Sequence, residues 1–181
     1  RRAAKVGADS VRRAGITAFG RDGAAAAIRI WRRALSRAAA IGDSAGIAAV
    51  LGNLGAGFLT QSQLDSAESY LERSRRLAHG LGDRRVEANA VAALAGVSQD
   101  RGDLAAAQAG YREALTLRAL IGDTRGMAAD YNNLGLLAQA VGDLDEAQRQ
   151  FEAALALNRR DGRDEVAATN LVNLAGLASL A

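Results

Sequence analysis

Along the chain, apolar residues recur at helical spacing in blocks, each closed by a short polar break. Over 144–157, Leu144, Ala147, Phe151, Ala154 and Leu155 form one stripe with polar residues between them, and steps of three and four place such positions on one side of a helix. The breaks are as regular as the stripes. Gly-Asp pairs stand at 42–43, 82–83, 102–103, 122–123 and 142–143; Gly162-Arg163 continues the series and Ser62-Gln63 fills the remaining term. A Gly tolerates the left-handed conformation that ends a helix, and the Asp after it offers a carboxylate to the free N–H groups of the next first turn. The pattern predicts helices over 4–19, 24–40, 44–60, 64–79, 84–100, 104–120, 124–140, 144–159 and 164–180. Asp143 with Glu146 has capping-box spacing, as does Asp65 with Glu68.

Similarity is stronger at a step of 40 than of 20, so two helices make one repeat. The first helix aligns as Leu51-Gly52-Asn53-Leu54-Gly55, Val91-Ala92-Ala93-Leu94-Ala95, Tyr131-Asn132-Asn133-Leu134-Gly135 and Leu171-Val172-Asn173-Leu174-Ala175. The second aligns at Ala27, Ala67, Ala107 and Ala147, then at Trp31, Leu71, Tyr111 and Phe151. Short turns make successive helices antiparallel, and no hairpin of this kind buries its own apolar face, so the units must stack. The expected fold is all-α: a right-handed α-solenoid of antiparallel helix pairs, with repeat units at 4–40, 44–80, 84–120 and 124–160 and a final helix at 164–180. The whole of 1–181 reads as a single solenoid domain.

Composition narrows the chemistry. The 181 residues include 20 Gly, no Pro, no Cys, one His, one Trp and one Met. Without Cys there is no disulfide framework, thiolate metal site or cysteine nucleophile, and a lone His79 cannot build a His-based site. No nucleophile–base pair or carboxylate pair stands outside the caps, so the expectation is no enzyme, no cofactor and no metal. No apolar run is long enough for a membrane helix, and the cytoplasm is the expected compartment. Arg outnumbers Lys 22 to 1, the bias that a GC-rich genome encodes and of little functional weight by itself. The formal charge of +3 is unevenly spread: residues 1–40 carry a net +8 and residues 41–181 a net −5.

The pattern Tyr131-x-x-Leu134-Gly135, then Gly142-Asp143, Ala147, Phe151 and Ala154 resembles the tetratricopeptide repeat. The period here is 40 residues rather than the usual 34, and Gly-Asp stands where that family places Pro. The chain is similar to the longer-helix variant known from kinesin light chains and cell-polarity scaffolds, and to arrays that accompany bacterial STAND-type ATPases and regulators. The resemblance is strong over 41–181 and weak over 1–20. It implies a concave groove, lined by the first helix of each repeat, that holds an extended peptide or partner segment. By that alignment the groove residues are Asn53, Asn133 and Asn173, with Ala93 breaking the series, and beside them Asn89, Gln99, Asp100, Asn132 and Gln139. An Asn amide offers one acceptor and two donors and can bracket a peptide backbone; it can equally bond an adjacent helix. No Lys or Arg occupies the positions of a carboxylate-clamping array, which disfavours a chaperone-type C-terminal ligand.

Three further features bear on partners. Arg29, Arg33 and Arg37 follow at i, i+4, i+8 with Arg32 beside them, a one-sided basic surface. It suits an acidic partner or a fused domain; nucleic-acid binding is disfavoured, because no aromatics interleave for base stacking. Gly52-x-x-Gly55-x-Gly57 lacks the order of a phosphate loop and reads as helix packing. Leu171, Leu174, Leu177 and Leu180 form an apolar stripe with no second helix after it, which points to a fragment of a larger protein or to self-association. The function expected is a non-catalytic protein–protein interaction module. The alternatives are a regulatory or oligomerising arm of a larger regulator and, third, nucleic-acid binding through the Arg surface.

Overall fold

The computed structural model describes residues 2–179, and the side chains of residues 9–179. Among them are nine helices and no strand: α1 (Arg2–Asp22), α2 (Ala24–Ala40), α3 (Ser44–Thr60), α4 (Leu64–Leu81), α5 (Arg84–Asp100), α6 (Leu104–Ile121), α7 (Thr124–Ala140), α8 (Leu144–Arg160) and α9 (Asp164–Ala178). The order is the expected one. α1 runs three residues beyond its expected end and α4 two.

The turns follow one design. The Gly at 42, 82, 102, 122, 142 and 162 has φ between 66° and 83°, and the next residue donates its N–H five residues back, as Asp83 to Ala78 (3.0 Å) and Asp123 to Arg118 (3.0 Å). This closes the helix C-terminus by satisfying carbonyls with no intrahelical partner. At the one place where the glycine series lapses, Ser62 adopts the same conformation at φ 56°, and Gln63 donates to the Phe58 carbonyl at 3.0 Å. The turn geometry is therefore kept at a conformational cost. The next helix is capped by Asp83, Asp123 and Asp143, whose carboxylates accept from Val86, Gly126 and Glu146 N–H at 2.9–3.0 Å. Neither expected capping box forms. Asp143 N–H bonds Ala138, leaving Glu146 to Arg149 and Gln150. Asp65 and Glu68 instead bracket Arg101 at 2.7 and 2.9 Å.

The chain forms two compact units, one closing at Asp103 and one opening at Leu104. In the first, α1 to α5 pack in sequence and α3 also meets α5. Its core joins Ala27, Ile28, Trp31, Ala34, Val50, Leu54, Phe58, Ala67, Leu71 and Val97. Small residues set the helix spacing. A side chain on Gly55 would run into Leu71, and a Cβ on Gly57 would lie 3.0 Å from Ile28 and 3.1 Å from Trp31, so Gly52–Gly57 is a packing seam as expected. In the second unit α6, α7, α8 and α9 pack in sequence, around Ala138, Ala147, Phe151 and Leu177. The apolar stripe of α9, expected to be uncovered, turns inward at Leu177, and Leu174 packs against the same cluster. Leu171 and Val172 are exposed; Leu180 lies outside the described residues.

Candidate functional site

In the second unit, α7 and α9 are the first helices of successive repeats, and between them lies a cavity of about 300 Å³. α7 lines it with Arg125, Ala128, Ala129, Asn132 and Asn133; the end of α8 supplies Asn158, and Arg163, Val166, Thr169 and Asn170 close the far side. A chain of amides runs through its wall. Asn158 Nδ2 donates to Asn170 Oδ1 at 2.7 Å, and Asn170 Nδ2 donates to Asn132 Oδ1 at 3.1 Å. Asn173 Nδ2 donates to the same Asn132 oxygen at 2.9 Å. Asn158 and Asn170 are buried, so this mutual bonding avoids the cost of buried amides without partners.

Arg163 holds Asp161 at 3.0 Å through one terminal nitrogen, which also lies 3.4 Å from the Thr124 carbonyl. Its Nε is buried with no acceptor among the described residues. Asp161 in turn accepts from Thr124 Oγ1 at 2.5 Å and Arg160 at 3.2 Å, and these donors, Thr124 first, hold its carboxyl below the ordinary range against burial. Arg125 forms no ion pair among the described residues, and no carboxylate lines the cavity.

Forty residues earlier the same helix junction is held by charge. Arg118 Nε donates to Asp130 at 2.7 Å and an Arg118 terminal nitrogen to Asp123 at 2.6 Å, with Arg118 and Asp130 both buried. Burial pushes the Asp130 carboxyl up to about 6, against the pull of Arg118. Burial also works upward on Asp123, but the Gly126 N–H and Arg118 hold it below its usual value. The guanidinium fits because position 126 has no side chain; a Cβ there would overlap Arg118.

The expected groove residues divide. Asn132 and Asn133 line the cavity, and Asn173 is tied to it through Asn132, which is the interhelical role that an Asn on this face can also take. Gln139, half-buried, lies near the end of α7, outside the lining. Asn53, Asn89, Gln99 and Asp100 belong to the first unit, along α3 and α5. Asn89 and Asp100 are exposed and Asn53 and Gln99 half-buried, with Asn53 Nδ2 enclosed and without an acceptor among the described residues. Asn158, Asn170 and Arg163 were missed. Their signal was a break in the repeat: position 158 follows Ala38, Ala78 and Arg118, and position 170 follows Val50, Ala90 and Asp130.

On the outer face of α2, Arg29, Arg33 and Arg37 are exposed and pair with no carboxylate among the described residues. Arg32 departs from them. Its guanidinium stands 5.8 Å over the Phe58 ring, which stacks on Tyr70 at 5.3 Å, and Arg73 covers Tyr70 at 5.8 Å. An aromatic pair does interleave with these arginines, but Phe58 is buried and so is not a free stacking platform. No described group of three or more His, Asp or Glu is placed to hold a metal, and no described helix is long and apolar enough to cross a membrane.

Residues 87–160 match the family model of the tetratricopeptide repeat, so the resemblance read from Tyr131 to Ala154 holds. No curated protein sequence matches the chain. Among solved structures, the chain is similar to Aspartyl phosphate phosphatase F from Bacillus subtilis (TM-score 0.81, 12% identity, 96% of this chain and 44% of that one). The apo form of RapI aligns with TM-score 0.76 at 15% identity over 93% of this chain and 47% of that one. BtubC (BKLC) from P. vanneervenii aligns at 0.75 and 20% identity over 98% and 81%. The chain thus spans less than half the length of the first two. At these identities the likeness is one of fold, an all-α helical repeat of the solenoid class.

Proposed function

We propose that this tetratricopeptide-repeat chain is a non-catalytic protein-interaction module, working in the cytoplasm, whose first helices capture an extended partner segment. The observation that carries the reading is the α7–α9 cavity, walled by amides and lined by Asn133. Asn132 is occupied by Asn170 and Asn173 and holds the wall in place. Asn133 makes no hydrogen bond among the described residues, so both ends of its amide are available to a peptide backbone. Affinity for a short segment is modest, because ordering an extended chain costs entropy.

The test is a random peptide library displayed on phage and panned against the whole chain. Recovered peptides bind the native protein and lose binding to Asn133→Ala, whose thermal unfolding is unchanged. A library that yields no binder, or binders indifferent to Asn133→Ala, refutes the reading.

A second reading rests on Arg29, Arg33 and Arg37, free of carboxylate partners on α2: contact with an acidic surface of a fused domain or regulator. Its mark is an association that weakens as salt rises, and one insensitive to salt counts against it.

A further inference from the structure

Three departures from the repeat converge on one cavity. Positions 78 and 90 in the first unit are Ala78 and Ala90, both buried, and Val86 seals the junction at 5% exposure with Ala48 and Ala78. Eighty residues on, Asn158 and Asn170 replace the alanines, Val166 stands open at 51%, and an apolar seal has become a polar cavity. The third departure is at the cap. Positions 43, 83 and 123 are Asp, whereas position 163 is Arg, and its Nε faces no acceptor.

Resting on the reading that α7 and α9 hold an extended segment, we propose that this cavity takes an acidic side chain, Asp or Glu, of that segment. Arg163 and Arg125 face the carboxylate, Asn133 donates to it, and Asn158 and Asn170 hold the floor. Two guanidinium groups serve the cavity, one partly neutralised by Asp161, and no lining residue is acidic. Asp161 already faces both Arg163 and Arg160, and a carboxylate in the cavity would answer Arg125. A guanidinium without an ion pair, as Arg125 is among the described residues, is a directional donor for a carboxylate oxygen. A volume of about 300 Å³ holds a side chain of this size with its water.

The experiment titrates the whole, isotope-labelled chain by NMR with the blocked pentapeptide acetyl-Ala-Ala-Asp-Ala-Ala-amide, its Asn counterpart, and inorganic phosphate. The Asp peptide is expected to bind about tenfold more tightly than the Asn peptide, with shifts at the side-chain amides of Asn133 and Asn170. Arg163→Gln reduces that preference to near unity. The double variant Asn158→Ala, Asn170→Ala, which restores the alanines of the first unit, does the same while keeping a cooperative melt. Equal binding of the two peptides, no binding of either, an unchanged preference in Arg163→Gln, or displacement by equimolar phosphate overturns the proposal. A requirement for a free C-terminus overturns the assignment to a side chain. The two readings fail separately: library peptides that depend on Asn133 but show no acidic preference leave the groove reading standing without this inference, and an empty library removes the groove reading itself.

Discussion

Replacing Arg118 by Ala leaves Asp130 inside the α6–α7 junction without its counter-charge. The Asp130 side chain is 2% exposed and its nearest donor is Arg118 Nε at 2.7 Å. Removing one partner of such a pair costs about 3–5 kcal/mol, because the remaining charge cannot regain water. The penalty depends on pH with a definite sign. Asp130 already titrates at about 6, above the value of about 3.9 of an unfolded Asp, so the folded state holds its proton more tightly. Stability from this group is full below about pH 4 and is lost as pH rises through 6, by up to about 3 kcal/mol. In Arg118→Ala the folded value moves higher still, so the variant is markedly weaker than the native chain at pH 7 and nearer to it at pH 5. The first unit supplies a complete alternative for the same junction: Ala78, Val86 and Ala90 where the second has Arg118, Gly126 and Asp130. The triple variant Arg118→Ala, Gly126→Val, Asp130→Ala transplants it. Asp123 keeps its cap on α7, as Asp83 caps α5 beside Val86. A packed apolar set of this kind is expected to match the native chain or exceed it by about 1–4 kcal/mol. Urea unfolding followed by circular dichroism at pH 7 and pH 5 measures all three proteins. A triple variant as unstable as Arg118→Ala at pH 7, or an Arg118→Ala penalty that does not shrink at pH 5, refutes the reasoning.

Other outcomes follow from single positions. Ser62→Gly relieves a left-handed residue and raises stability by roughly 0.5 kcal/mol, the strain removed less the extra freedom Gly has when unfolded, while Ser62→Val lowers it by at least 1 kcal/mol; thermal melts compare the pair. Gly135→Ala puts a Cβ 2.6 Å from the Phe151 ring and costs about 1–3 kcal/mol. Gly80→Ala on α4, where no atom stands within 4 Å of the new Cβ, gains about 0.5 kcal/mol from helix propensity, and equal effects at the two glycines contradict the packing assigned to Gly135. Fluorescence anisotropy with mixed DNA shows no saturable binding at moderate salt, because Arg32 lies over Phe58 and the remaining α2 arginines offer no base-stacking platform; tight binding lost on Arg29→Ala, Arg33→Ala and Arg37→Ala reverses that view.

The helices and turns were legible because each obeys a local rule repeated along the chain. Gly-Asp at steps of 20 fixes where a helix ends and the next is capped, and even Ser62 was marked by its place in the series. The site was only half legible. Aligning Asn53, Asn133 and Asn173 by what the repeats share found the α7 face, but Asn173 is used between helices. The residues that open the cavity break the pattern: Asn158 and Asn170 stand where the earlier repeats carry Ala or Val, or the Arg118–Asp130 pair, and Arg163 stands where they carry Asp. An alignment that looks for agreement reads such positions as noise, whereas burial makes them conspicuous, since an amide at 1–2% exposure needs a bonded partner. The capping boxes failed for a related reason. Glu68 and Glu146 have the right spacing, but the Schellman-type turn already uses the N–H that Glu146 would accept, and Arg101 claims Asp65 and Glu68 together.

The most direct test of the central claim is a contact map of a library-selected peptide on the whole chain by NMR shift perturbation. Shifts are expected to concentrate on α7 and α9, strongest at the Asn133 and Asn170 amides and absent from Arg29, Arg33 and Arg37 of α2. Perturbations confined to Arg29, Arg33 and Arg37, with Asn133 and Asn170 unmoved, contradict that claim.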